Sequence, residues 1–246
     1  MEINKARFYQ IVYDHTFSAH ERFNIGTYKE KKLHLILKDY FEADSACHEI
    51  PVNGYIADIC REKTITEIQT GGFSGLGPKL SAYLPDYTVR LVYPLAVHKT
   101  VSWIDPETSE ILPRHNSPLH ATVYDAIFEL CRLLPYVNDP HLTVLAVLLD
   151  IDEYRLLDGW SRDRKRGSHR YERVPSELHG ITELTTAEDF AAWIPENCPT
   201  SFTTADFAKG AKIDVRTAGG VVKVFETKGI IRKAGKRGRA NLFERV

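Results

Sequence analysis

Apolar positions recur along this chain at two spacings, and the switch from one to the other marks out its elements. Leu33, Ile36, Leu37, Tyr40 and Phe41 fall on a single helical stripe. Thr27 can cap that helix and Glu30, three residues on, completes a capping box, so the pattern predicts a helix over 27–42. The spacing then tightens to alternation, predicting strands at 48–52, 55–60 and 64–70. "GGFSGLGP" is a turn-rich connection, "KLSAYL" a short helix closed by Pro85, and "TVRLVYPLAV" at 88–97 a buried strand. Next come a hairpin turning on Asp105-Pro106 and a helix opened by Ser117-Pro118. That helix carries Val123, Ile127, Leu130, Cys131 and Leu134 on one face, and an apolar strand follows over 142–157. Residues 1–26 are aromatic-rich, show neither spacing and read as an irregular extension.

The second half is more polar. "WSRDRKRGSHRYER" at 160–173 reads as an exposed basic segment, "AEDFAAWI" at 187–194 as a short helix, and "PENCPTS" as a boundary rich in Pro and polar residues. Beyond it, "TTADFAKGA" and "VRTAGGVVKVFETKG" predict two helices joined around Lys212–Asp214. "IIRKA", "GKRG" and "RANLFERV" then predict strand, tight basic turn and strand. Two helices followed by a hairpin form the winged-helix pattern. The expected organisation is an N-terminal extension (1–26), an α/β domain (27–180) and a winged-helix domain (181–246).

Composition narrows the function classes. With 246 residues, 43% of them hydrophobic, the chain can bury one large core or two modest ones. A net charge of -1 gives no bulk attraction to nucleic acid, so any such attraction must be local. Arg162, Arg164, Lys165, Arg166 and Arg170 form one basic run, interleaved with Trp160, His169 and Tyr171. Lys236, Arg237 and Arg239 form a second at the hairpin tip, and Arg216 and Lys223 lie on the second helix of the pair. Arg forks suit phosphates, which makes DNA the expected partner; a solvated charged face and a protein-binding winged helix are the other readings. Cysteines 47, 60, 131 and 198 make no CxxC pair, which points to a reduced, cytoplasmic setting. The longest apolar run, "LTVLAVLL", is too short for a bilayer, so no membrane role is expected, and a homodimer is left open.

One hairpin carries chemistry. A turn centred between Glu62 and Lys63 sets Asp58 opposite Glu67, with Gln69 on the same face and Ala57, Ile59 and Ile68 turned to the core. Two carboxylates facing each other across strands repel. A divalent cation would offset that; a solvated strand face, screened by water and salt, is the other reading. Lys79 on the next helix reads as solvated, with an approach to the acids as the alternative. His98, His115 and His120 lack metal-ligand spacing and read as structural or surface residues.

The order helix, three strands, helix, strand over 27–97 resembles the αβββαβ core of the PD-(D/E)XK nuclease superfamily. The resemblance implies a restriction-endonuclease-like α/β (α+β) fold and Mg²⁺- or Mn²⁺-dependent cleavage of DNA. Asp58 then matches the first acid, Glu67 the second and Glu30 the helix acid. The metal would lie on Asp58, Glu67 and the Ile68 carbonyl. Gln69 stands where the family usually has Lys, which leaves a non-catalytic DNA-binding protein on an inactivated scaffold as the alternative. "EIQTGGFSGLGPKL", "LLDGWSRDRKRGSHRYER" and "GKRGRANLF" also resemble an uncharacterised bacterial family.

Overall fold

The computed structural model describes residues 3–17, 31–159 and 167–246. In chain order these form α1 (Lys5–Phe17), α2 (Lys32–Phe41), β1 (His48–Val52), β2 (Tyr55–Arg61), β3 (Thr64–Ile68), α3 (Gly77–Tyr83), β4 (Thr88–Ile104) and β5 (His115–Asn116). After these come α4 (Val123–Leu130), β6 (Leu142–Leu156), β7 (His169–Leu184), α5 (Ala187–Ala191), β8 (Ser201–Phe202), α6 (Thr204–Ala211), α7 (Val215–Thr227), β9 (Ile231–Arg237) and β10 (Ala240–Arg245). The fold is mixed α+β. A seven-stranded sheet runs in the order β1-β2-β3-β4-β6-β7 with β5 beside β4, and a second sheet runs β8-β10-β9. Among the described residues no helix is long and apolar enough to cross a membrane.

The chain divides into two compact units, 1–48 with 94–121 and 147–181, and 49–93 with 122–146 and 182–246. In the first unit, residues expected to be irregular form α1 instead. Asn4 starts it, its side chain accepting the Arg7 N–H at 2.9 Å, and fully buried Phe8 packs edge-on against Tyr40 at 5.7 Å. Helix α2 begins at Lys32, with extended Lys31 before it, five residues later than the capping box suggests. Its first N–H is met at 3.1 Å by the Glu172 carboxylate of β7, while Lys31 donates to the Tyr171 carbonyl at 2.6 Å. The Thr27–Glu30 box lies outside the described residues.

Strand β7 itself was not expected: half of its residues are only partly buried, and charges sit on both faces, so the alternation is weak. The same unit buries one acid. Glu153 on β6 is 1% exposed and meets Arg155 at 2.7 Å, Arg170 at 3.2 Å and Lys99 at 3.6 Å. Burial would raise its pKa, but those three cations outweigh it and hold the carboxyl below its ordinary range.

In the second unit, Asn53 (φ 46°) and Gly54 (φ 84°) turn β1 into β2, as a two-residue hairpin of this hand requires. Strands β3 and β4 are parallel, Ile65 beside Val89 and Glu67 beside Leu91, so the chain must cross over between them. Helix α3 makes the crossover, and Glu129 of α4 holds the approach to it by accepting the Phe73 N–H at 2.9 Å. Helix α4 starts at Val123 with a Thr122–Asp125 capping box; Ser117 caps only a local turn, accepting the Leu119 N–H at 3.2 Å. Strand β4 runs unbroken to Ile104, past the expected end at 97.

The C-terminal segment is a helix–helix–hairpin. Asp214 caps α7, accepting the N–H groups of Arg216 and Thr217. Strand β9 continues through Arg237, which leaves Gly238-Arg239 as the turn rather than the whole of "GKRG". Helix α7 packs on α4 so closely that a Cβ at Gly220 would come within 2.4 Å of Phe128.

Candidate functional site

Strands β2 and β3 pair antiparallel, with Ile59 opposite Thr66, Cys60 opposite Ile65 and Arg61 opposite Thr64. Extended by one pair, that register sets Asp58 across from Glu67, as the alternation predicts. A side chain then takes up the next main-chain donor: Asp58 Oδ2 accepts the Ile68 N–H at 2.7 Å. The Ile56 carbonyl of β2 accepts instead from Lys79 Nζ at 2.8 Å.

Lys79 closes the site. Its ammonium also donates to Glu67 Oε2 at 2.8 Å and is 26% exposed, whereas Glu67 is 1% exposed. The other carboxylate oxygen, Glu67 Oε1, is buried and has no hydrogen-bond partner among the described residues. Burial first, and the Asp58 charge second, push the Glu67 carboxyl up to about 7, against the pull of Lys79. Tyr83 lies four residues beyond Lys79, on the same side of α3. Its hydroxyl is buried without a partner among the described residues, and burial together with the Glu67 and Asp58 charges raises its pKa. The lysine read as solvated therefore pairs with Glu67. The sequence reading passed over Tyr83, whose signal was its i,i+4 spacing from Lys79.

Among the described residues, one ammonium pairs with Glu67 beside the Asp58 carboxylate, in a poorly solvated cluster. Burial, with the Asp58 charge behind it, is what holds the Glu67 carboxyl near neutrality despite Lys79. The donor set fits a hard divalent cation in kind, because two carboxylates sit together and, among the described residues, Glu67 Oε1 lacks a partner. Gln69 is held beside β4 by its main-chain N–H, which donates to the Val92 carbonyl at 2.9 Å. No hydrogen bond among the described residues ties its amide to either acid. Glu30 lies outside the described residues.

The basic residues separate by what they touch. Arg162, Arg164, Lys165 and Arg166 lie outside the described residues. Arg170 is drawn to Glu153 on the neighbouring strand. Arg237 reaches Asp206 at the start of α6 at 2.8 Å and the Ser201 carbonyl at 3.3 Å, so it fastens the hairpin to the helix. Lys236 and Arg239 are exposed and make no ion pair among the described residues, and Lys223 is exposed on α7. Arg216 lies over the Phe128 ring at 5.9 Å, beside a groove of about 470 Å³ between α4 and α7. That groove mixes Arg132 and Arg216 with Asp125, Glu129 and Asp214 and is not a basic surface.

A family model described as "Domain of unknown function (DUF8091)" matches residues 31–185. An uncharacterised protein of Treponema pallidum (strain Nichols) is 27% identical over 225 residues, which covers 90% of this chain and 87% of that protein. This similarity is longer than the family segment. No solved structure matches.

Proposed function

Because the chain belongs to the family of the domain of unknown function DUF8091, which brings no activity with it, we propose a function from the site itself: metal-assisted hydrolysis of a DNA phosphodiester at Asp58, Glu67 and Lys79. The observation that carries it is Lys79 Nζ at 2.8 Å from Glu67. A lysine delivered from α3 supplies the cation that position 69 lacks. Asp58 and Glu67 would hold a Mg²⁺ or Mn²⁺ ion, with the Ile68 carbonyl as a further oxygen ligand. Once bound, the ion would polarise the phosphate and lower the pKa of a bound water.

The chain's own residues have distinct tasks in this reading. Asp58 orders the end of β3 through the Ile68 N–H, fixing the spacing of the acids. Glu67, pushed up to about 7, must shed its proton before it can hold a metal, so loading is coupled to pH and improves as pH rises through 7. Lys79, drawn away from Glu67 by an incoming phosphate, would balance the phosphate's charge. The helix–helix–hairpin would act as a winged helix that contacts the DNA backbone through Lys236, Arg239 and Lys223. Arg237 would brace the hairpin from behind.

A second reading, DNA binding without hydrolysis, is favoured by the closed state of the acids: Glu67 is 1% exposed and already neutralised in part by Lys79. Plasmid cleavage with Mg²⁺ or Mn²⁺ separates the two. Hydrolysis by the wild type, lost in Asp58→Asn and Lys79→Met with duplex binding retained, supports the first. Duplex binding with no cleavage by any variant leaves the second, and neither binding nor cleavage sinks both.

A further inference from the structure

Three neighbouring strands each bring one side chain to the same place in the first unit: His98 from β4, Asp150 from β6 and His179 from β7. His98 Nδ1 lies 2.9 Å and His179 Nε2 2.6 Å from the same oxygen, Asp150 Oδ1. The three ligand atoms all fall within 4.8 Å of one another.

We propose that His98, Asp150 and His179 form a site for one borderline divalent transition-metal ion of the Zn²⁺ class, separate from the Asp58–Glu67 acids. The donors decide the class, since two imidazoles and one carboxylate suit Zn²⁺ and its neighbours, whereas Mg²⁺ prefers oxygen alone. The spacing fits as well. Bonds of about 2.0–2.1 Å in a tetrahedron separate ligand atoms by about 3.3 Å, so each contact to Oδ1 needs to open by well under 1 Å. The ligands stand on strands hydrogen-bonded to one another, which limits how far they can drift apart.

The surroundings leave these three groups free to act together. Among the described residues nearby, Asp152 bonds to Thr100, and Glu177 to Lys5 at 2.9 Å and Tyr9 at 2.6 Å. His120 approaches His98 with ring centroids 5.5 Å apart. Its Nδ1 donates to the Val97 carbonyl at 2.6 Å. Three protein ligands leave one position of a tetrahedral ion open, and with the His98 side chain 62% exposed that position faces water. This is the arrangement of a zinc site that binds or activates a small molecule, not of a closed structural site.

The test uses the full chain stripped with a chelator, then titrated with Co²⁺ and Zn²⁺. The expected result is one ion per chain, with the visible ligand-field bands of a four- or five-coordinate Co²⁺ ion that Zn²⁺ displaces. His179→Gln and the double variant His98→Gln/His179→Gln should weaken Zn²⁺ binding by more than about 100-fold, because each removes a direct ligand. Their metal-free unfolding temperatures should stay close to that of the wild type, since these histidines are exposed. Glu67→Gln should bind Zn²⁺ as the wild type does, which keeps this outcome independent of any cleavage activity. No uptake of either ion, uptake unchanged in the double variant, or uptake lost only in Glu67→Gln would each overturn the proposal.

Discussion

Replacing Glu67 with Gln removes one charge from a carboxylate that is 1% exposed and leaves nearly everything else in place. In the folded protein its carboxyl stands at about 7 rather than the ordinary 4.5. At about 1.4 kcal/mol per pKa unit, ionising it in the fold costs about 3 kcal/mol once pH is well above 7. The sign follows from proton binding. Between these two values the folded state holds a proton that the unfolded state has released, so the stability Glu67 contributes is full below 4.5 and is lost as pH rises through 7. Gln has no such dependence. From about pH 5 to about pH 8 the stability of Glu67→Gln relative to wild type should therefore climb by about 2.5 kcal/mol. A constant offset lies on top of that slope. The new amide N–H groups need acceptors, with the Tyr83 hydroxyl and Asp58 nearby, and an unmet one costs about 1–3 kcal/mol at every pH. The trend, not the absolute value, is diagnostic. Urea unfolding of both proteins across this pH range measures it, and a difference that stays flat would mean that Lys79 fully offsets the burial of Glu67 and the Asp58 charge.

Other perturbations follow from the same geometry. Lys79→Met should destabilise the protein by about 1–3 kcal/mol at pH 8, and adding Glu67→Gln should recover most of the loss; a double-mutant cycle by chemical denaturation would give this coupling, and strictly additive effects would count against the pair. Gly220→Ala should cost about 1–3 kcal/mol, because the added methyl meets Phe128 at 2.4 Å; adding Phe128→Leu should relieve it, as thermal unfolding would report. If the hairpin contacts DNA, Lys236→Ala and Arg239→Ala should each lower the log–log salt slope of duplex binding by up to about 0.9. Arg237→Ala should mainly lower the unfolding temperature, since its guanidinium is spent on Asp206.

What was legible in the sequence was what neighbouring residues decide. Glu62-Lys63 sits between two alternating runs, so the register that opposes Asp58 and Glu67 could be counted directly from the turn. The two C-terminal helices joined around Lys212–Asp214 are likewise local: in the structure a Thr203–Asp206 box starts α6 and Asp214 caps α7. Whether Lys79 meets solvent or Glu67 depends instead on where the crossover helix lands, which no local spacing encodes. The basic runs show the same limit from the other side. Charge counts mark attraction to phosphate, but Arg170 and Arg237 are satisfied by Glu153 and Asp206 from other elements. The His98–Asp150–His179 cluster was illegible because its members come from three strands, 52 and 29 residues apart, and meet only through sheet order.

The borrowed cap of α2 bears on the timing of synthesis. Its first N–H is met by Glu172, which is 140 residues downstream of Lys32. At roughly 5–20 residues per second the ribosome needs on the order of ten seconds to make that stretch. During this interval the N-terminal end of α2 has emerged without the strand that finishes it, and its apolar stripe of Leu33, Ile36 and Leu37 waits for partners. Helix α2 would thus leave the ribosome well before the strand that completes its first turn. That is the interval in which a chaperone would find it exposed.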